Sequence, residues 1–205
     1  MRPDREILAA CHEANPHGAG VAWREDGEVR WSKGLDVDEL ENLIADLSGE
    51  IVIHFRWASV GGVTPKLCHP FPITACATTR LSGHARAVLF HNGTWGRWRE
   101  TLRRMPRHRT PAGLLSDSRV AASVVDLCGM DVLDRLPGRW VIFDRDFTEI
   151  YGYWREWRGM KVSNLGFTYG LNASRSTFAS KHTQSADRGD QGCLDFPDTC
   201  GNPDT

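Results

Sequence analysis

The chain has 205 residues, of which 40% are hydrophobic and 25% charged, and its formal net charge is −1. This composition predicts a single globular domain with a sizeable core, and the near-neutral charge argues against a nucleic-acid partner. No apolar run approaches the length of a membrane span, and residues 1–6 lack the apolar stretch of a secretory signal. The expected location is therefore the cytoplasm.

The chain contains six cysteines, Cys11, Cys68, Cys76, Cys128, Cys193 and Cys200, and none forms a CxxC pair. In a chain of this length without an export signal, free and reduced thiols are expected. A zinc site built from Cys68, His69, Cys76 and His84 is an alternative, although the spacing matches no common zinc pattern. Neither a metal nor a cofactor is expected.

The N-terminal part of the chain predicts a helix followed by a β-hairpin. Residues 3–14 place apolar side chains on one helical face, and Pro3 suits the first turn. Residues 18–23 and 28–33 are predicted to be two strands, joined at the turn-forming pair Asp26-Gly27.

A second helix, a buried strand and a long irregular stretch are predicted next. Asp36 with Glu39 matches a capping box, and the apolar stripe that follows predicts a helix ending at Gly49. Residues 51–56 read as a buried strand. Residues 59–85 form a long loop, and loops of that length in compact domains are usually functional.

The rest of the chain is predicted to mix strands and helices and to end in a polar tail. Strands are predicted at 87–90, 139–144, 148–154 and 161–164, and helices near 97–104, 117–128 and 131–136. This pattern favours an α+β domain over residues 1–170. Residues 171–205 are rich in small and polar residues and are predicted to be disordered.

Four short segments with chemically useful residues lie where a predicted strand ends or a helix begins, and a fifth lies in the long loop. They are Asn15–Gly20, His54–Ser59 followed by Gly61-Gly62, His91–Thr94, Ser116–Ser118 and, in the loop, His69–Phe71.

Taken singly, the polar residues of these segments have two interpretations each. Arg56 follows a hydrophobic strand and needs a carboxylate, either from the protein or from a ligand. Asn92 and Gly93 could offer a side-chain amide and a backbone N–H to one oxyanion, or form a tight turn. Asp117 could cap a helix or hold a ligand ammonium group.

The order and spacing of the five segments resemble the glutaminase domain of the class II glutamine amidotransferases, of the N-terminal-nucleophile hydrolase superfamily. The resemblance covers residues 3–166, and Lys33-Gly34 and Ser163-Asn164 make it closest to the stand-alone bacterial and phage form. It implies a four-layer αββα sandwich that hydrolyses glutamine to glutamate and ammonia.

The resemblance also assigns roles to residues of this chain. Arg56 would bind the α-carboxylate of glutamine, Asp117 its α-ammonium group, and Ser59 would assist substrate binding. Asn92 and Gly93 would form the oxyanion hole. His54 and His91 would be satisfied structural histidines, and His69 would shape the long loop.

One part of the family pattern is missing. The family's nucleophile is a cysteine directly after the initiator methionine, whose own α-amine acts as base, whereas residue 2 here is Arg. Either a first strand opening with Met-Cys precedes Met1, or the protein is an inactive glutamine-binding or interaction module. We favour the first reading, because the substrate-binding set is intact.

The acceptor of the ammonia is a further open point. No synthase domain fits into residues 171–205, so the expected partner is a separate ammonia-accepting enzyme. The alternative is a plain amidohydrolase of glutamine or of a related γ-glutamyl amide. Trp57, Trp95 and Trp98 either widen the pocket or, as is more common, pack in the core.

Overall fold

The computed structural model describes residues 2–173, which form a mixed α+β structure with antiparallel sheets. The helices are α1 (Arg5–Ala14), α2 (Val37–Ala45), α3 (Trp98–Arg104), α4 (Asp117–Cys128) and α5 (Thr168–Ala173). The strands are β1 (Ala19–Glu25), β2 (Glu28–Leu35), β3 (Ile51–Phe55), β4 (Phe71–Pro72), β5 (Ser82–Ala85), β6 (Ala87–Asn92), β7 (Arg139–Asp144), β8 (Thr148–Tyr151), β9 (Arg155–Trp157) and β10 (Met160–Val162). Short 3-10 helices span Pro65–Leu67, Arg107–Arg109 and Met130–Arg135.

Two four-stranded sheets build the domain. The first has the strand order β3-β1-β2-β5 and the second the order β4-β6-β7-β8, while β9 and β10 form a separate hairpin. Side chains of β1, β2, β6 and β7 form a shared apolar cluster, which places the two sheets face to face. Helices α1 and α2 pack on β1 and β3, and helices α3 and α4 pack on β6 and β7. The predicted α+β class is confirmed.

Local sequence signals account well for the first hairpin and for α2. Asp26 and Gly27 both have positive φ, as a tight hairpin turn requires. The Asp36 carboxylate accepts from the Glu39 N–H, and the Glu39 carboxylate accepts from the Asp36 N–H, so the capping box is present. The helix ends at Ala45 rather than at Gly49.

Several predicted boundaries were wrong. Asp4 is the N-cap of α1, so Pro3 precedes the first turn instead of lying in it. The stretch 59–85 is not a single irregular loop, because it contains β4 and β5, and the predicted helix 131–136 is a 3-10 helix. The predicted strand 161–164 is β10, which pairs with β9 and joins neither large sheet.

The first residues of the segment predicted to be disordered are helical. Helix α5 includes residues 171–173, the first three of the segment predicted to be disordered, and residues 174–205 lie outside the described part of the chain. Within residues 2–173, no helix is both long and apolar enough to cross a membrane.

Two glycines of the Asn15–Gly20 segment allow β1 to contact the segment that carries His69. A Cβ atom at Gly18 would lie 2.9 Å from the Cys68 Sγ, and Gly18 also has a φ of +101°. A Cβ atom at Gly20 would overlap the carbonyl oxygen of His69. The glycines therefore place Cys68 and His69 directly against the first sheet.

Lys33 is a buried lysine beneath this contact, with only 2% of its surface exposed. Its Nζ donates a 3.0 Å hydrogen bond to the Pro70 carbonyl and lies 4.0 Å from the centre of the Phe71 ring. Burial lowers the pKa of Lys33 to about 7, and Arg119 and Arg56 act in the same direction. The nearby Cys68 thiol opposes this shift.

Lys33 should make the stability of the domain depend on pH. Between about pH 7 and the usual lysine pKa of 10.5, the unfolded chain holds the proton and the folded chain does not. The free energy of unfolding therefore rises with pH across this window, and Lys33→Met should remove that rise. Near pH 7 the variant should be more stable by about 2 kcal/mol.

Urea unfolding at a series of pH values between about 7 and 10 measures the effect of Lys33→Met. Lys66→Met is the control, because Lys66 is exposed and lies in the neighbouring 3-10 helix. If the free energy of unfolding of Lys33→Met rose with pH as steeply as that of the wild type, groups other than Lys33 would cause the pH dependence.

Candidate functional site

A cavity of about 260 Å³ lies where β3 and β6 end and α4 begins, and we call it the site cavity. It brings together all five residues that the sequence singled out, although they come from three distant parts of the chain. Its lining includes Arg56, Ser59, Asn92, Gly93 and Asp117.

Arg56 is buried at the wall of the site cavity, with 4% of its surface exposed. Its Nη2 donates to the carbonyls of Val60 and Gly62, at 3.0 and 2.8 Å. Its Nη1 is buried and has no hydrogen-bond partner among the described residues. Burial lowers the pKa of Arg56, while the thiol of Cys68 and the carboxylate of Asp117 raise it. One nitrogen of a charged guanidinium is therefore left without an acceptor among the described residues.

Asp117 is the first residue of α4 and is 5% exposed. Its Oδ2 accepts from the Trp95 N–H at 2.9 Å, and its Oδ1 accepts from the Ser118 N–H at 2.8 Å. Burial raises the pKa of Asp117, and these hydrogen bonds oppose the rise. The alternative that Asp117 caps the helix is wrong, because the cap is Ser116, which accepts from the Arg119 N–H at 3.2 Å.

Asn92 ends β6 and Gly93 follows it, and the pair does not form a hairpin turn, because the chain continues towards α3. The tight-turn alternative is therefore wrong. The Asn92 Nδ2 donates a 2.8 Å hydrogen bond to the Ser163 Oγ. Gly93 has a φ of +143°, and a Cβ atom there would lie 3.0 Å from the Gly138 Cα and 3.1 Å from the His91 Nε2.

Ser59 lies at the rim of the site cavity, where its Oγ is 3.0 Å from the Thr94 Oγ1. This contact joins the segment after β3 to the segment after β6. Trp57, at the same rim, is 62% exposed, whereas Trp95 and Trp98 are buried in the core. Core packing is thus confirmed for two of the three tryptophans.

Three histidines, the buried His69 and His91 and the half-buried His54, form much of the remaining wall. Burial lowers the pKa of His54 to about 3, that of His91 to about 3, and that of His69 well below its usual value. The Nδ1 atoms of His54 and His69 lie 3.3 Å apart, and the His91 Nδ1 is 3.0 Å from the Ser118 Oγ. His91 stacks on Trp140 at 3.6 Å.

The prediction that His91 is satisfied holds for its Nδ1, which contacts the Ser118 hydroxyl. Its Nε2 is buried without a hydrogen-bond partner among residues 2–173, and the same holds for the Nε2 of His69. A Cβ atom at Gly93 or at Gly138 would lie 3.1 or 2.5 Å from the His91 Nε2, so a side chain at either position would crowd this nitrogen. All three imidazoles are neutral at physiological pH, so the charges at the site come from Arg56 and Asp117.

The described cysteines lie outside the site cavity and form no metal site. Among residues 2–173, no cysteine lines the site cavity. Burial raises the pKa of Cys11 to about 12 and also raises that of Cys68. No group of three or more His, Cys, Asp or Glu residues in this part of the chain could hold a metal ion, so the zinc alternative finds no support.

A larger cavity, of about 590 Å³, runs along β3 and shares His54, His91 and Asn92 with the site cavity. We call it the β3 slot. Its walls come from α1 and the β9–β10 hairpin on one side and from β6, β7 and β8 on the other. Apolar side chains such as Ile7, Phe90 and Val141 line both walls.

The open edge of β3 forms one side of the β3 slot. Strand β3 is an edge strand in the described sheet, so its five residues are only half-buried and the predicted buried strand was wrong. The Arg56 N–H bonds to the Gly18 carbonyl next to β1. Because N–H groups alternate along a strand, those of Ile51, Ile53 and Phe55 point towards the slot. The slot therefore offers an unpaired backbone edge between two apolar walls.

The sequence interpretation missed two features of the site. The carbonyls of Val60 and Gly62, which hold Arg56, belong to a loop whose conformation no short pattern specifies. Ser163, which holds Asn92, is 71 positions further along the chain. The sequence singled out Ser163-Asn164 only as part of the family resemblance, and nothing in that pattern indicated a contact with Asn92.

Comparison with protein-family models finds no match to this chain, and a search of curated proteins finds no relative.

Proposed function

We propose that the site cavity binds L-glutamine, or a related γ-glutamyl amide, and that the domain is a class II glutamine amidotransferase-type amidohydrolase. The observation that carries this proposal is the pair of opposite charges, Arg56 and Asp117, that are both buried and line one cavity. Burying these groups is costly unless a ligand completes their interactions. The α-carboxylate and α-ammonium groups of an amino acid supply the two complementary charges.

The remaining donors suit the amide end of the same ligand. Asn92 and the Gly93 N–H line the same cavity, and among the described residues no acceptor takes the Gly93 N–H. Two donors that converge on a carbonyl oxygen stabilise the oxyanion that forms when a nucleophile attacks. The arrangement of helices outside two facing sheets is consistent with the four-layer αββα sandwich of N-terminal-nucleophile hydrolases.

The proposed nucleophile is an N-terminal cysteine on a segment preceding Met1. A strand paired with the open edge of β3 would fill the β3 slot, and that slot adjoins the site cavity at His54 and Asn92. The cysteine α-amine would take the thiol proton as sulfur attacks the γ-carbonyl carbon, and would return it to the departing ammonia. Water would then hydrolyse the thioester to glutamate.

The ammonia would pass to a separate acceptor enzyme or, in a plain amidohydrolase, into the cytoplasm. The alternative function is that of an inactive glutamine-binding or interaction module of the same fold. One observation favours it, namely that no cysteine of residues 2–173 lines the site cavity.

The test is to express the protein from its own gene with the upstream DNA included. Its N-terminus should begin with cysteine, it should release ammonia from L-glutamine, and a glutamine-analogue alkylator should abolish that activity. Glutamine binding without ammonia release would favour the binding module. A protein that begins at Met1-Arg2, binds no glutamine and releases no ammonia would contradict both functions.

A further inference from the structure

Ser163 holds one side of the Asn92 amide from outside the sheet that carries Asn92. Its Oγ accepts from the Asn92 Nδ2 at 2.8 Å and lies 3.5 Å from the Asn164 Nδ2. Asn92 ends β6, whereas Ser163 directly follows β10 of the separate β9–β10 hairpin. That hairpin packs on α1 and α5. The hydrogen bond therefore connects two structural units that share no sheet.

The planar side-chain amide of Asn92 connects its hydrogen bond with Ser163 to the site cavity. The Nδ2 of asparagine carries two N–H groups in one plane, so fixing one of them on Ser163 fixes the direction of the other. Asn92 lines both the site cavity and the β3 slot, whereas Ser163 lines the slot. With one N–H held on the slot side, the second is free to donate within the site cavity.

We propose that Ser163 is a positioning residue that orients the Asn92 amide towards the γ-amide end of the bound ligand. This inference rests on the proposed function and deepens it, because it assigns a residue to the recognition of the amide. Arg56 and Asp117 bind the α-carboxylate and the α-ammonium group of the ligand in the proposed function. Neither residue has a hydrogen bond to Ser163 among the described contacts. Loss of Ser163 should therefore affect the amide end alone.

L-Glutamine and L-norvaline separate the two ends of the ligand. Norvaline has the same α-amino acid end and carbon chain, with a methyl group in place of the amide. We expect Ser163→Ala to lower the preference for glutamine over norvaline by about tenfold, while norvaline affinity stays unchanged. Ser163→Thr, which keeps the hydroxyl, should restore the preference.

The experiment is calorimetric titration of the 205-residue chain and both variants with each amino acid. It is combined with NMR spectra of the Asn92 side-chain amide, in which the proton bonded to Ser163 should lie downfield of its position in a free asparagine amide. A return of that proton towards the free position in Ser163→Ala, with rescue in Ser163→Thr, supports the proposal. An unchanged preference, equal weakening of both ligands, or an unchanged Asn92 signal in Ser163→Ala overturns it. If the wild-type chain binds neither amino acid, the proposed function fails and the positioning role falls with it.

Discussion

Replacing Asp117 with Asn will weaken L-glutamine binding by about 100-fold while changing the free energy of unfolding by less than about 1 kcal/mol. The variant removes the only buried negative charge that lines the site cavity within the described residues, so the ligand ammonium group loses its counter-charge. The side chain keeps its shape. One of the acceptors now used by Trp95 and Ser118 is lost, and removal of a desolvated charge offsets that cost.

The pH dependence of stability provides a second readout for Asp117→Asn. Burial raises the pKa of Asp117 above its usual value of 3.8, so in the acidic window above that value the folded state holds a proton that the unfolded state has lost. Stability contributed by this group therefore falls as pH rises through the window, and the variant should remove that fall. Asp126→Asn, on the same helix but outside the site cavity, is the control for both measurements. Equal loss of affinity in the control would refute the assignment of Asp117.

Filling the β3 slot with a β-strand will raise the melting temperature by roughly 6–12 °C, which corresponds to about 3 kcal/mol for a domain of this size. The expected gain comes from backbone pairing with the open edge of β3 and from apolar burial against both walls. A strand-forming extension of Val and Thr residues, joined through a short turn ahead of Arg2, provides the test. An extension of equal length made of Gly and Ser is the control.

The direction of the β3 N–H groups sharpens this test. Ile53→Pro removes an N–H that points into the slot without removing one that bonds to β1, and proline is tolerated at strand edges. The substitution itself lowers stability by the same amount with either extension. The informative quantity is therefore the difference in melting temperature between the strand-forming and the Gly/Ser extension. This difference should be much smaller in Ile53→Pro than in the wild type. A strand extension that stabilises the variant as much as the wild type would show that it binds elsewhere.

The sequence predicted those parts of the structure that local chemistry determines. Asp26-Gly27 and the Asp36–Glu39 capping box act within four residues, so the pattern alone specifies them. The five site residues were found because they lie in recognisable short segments, and the structure places them around one cavity. Their roles in binding glutamine remain predictions.

Other features depend on contacts between distant residues. An apolar run such as 51–55 looks the same in a central strand and in an edge strand, and only the partners distinguish the two. Lys33 gives no sign of burial in the sequence, because lysine side chains are usually exposed. The contact between Ser163 and Asn92 depends on how the β9–β10 hairpin packs on α1 and α5.

The contact of Gly18 and Gly20 with the segment carrying Cys68 and His69 limits how this sequence can vary. At position 18 the backbone conformation and the cysteine sulfur both exclude a side chain, and at position 20 a backbone carbonyl does so. A larger residue at position 20 would have to displace His69, a wall of the site cavity. A smaller side chain at position 69 could not compensate for a larger residue at position 20, because the obstructing atom is the backbone carbonyl oxygen of His69. Random mutagenesis selected for folding alone should therefore leave glycine at position 20, whether or not the site is under selection.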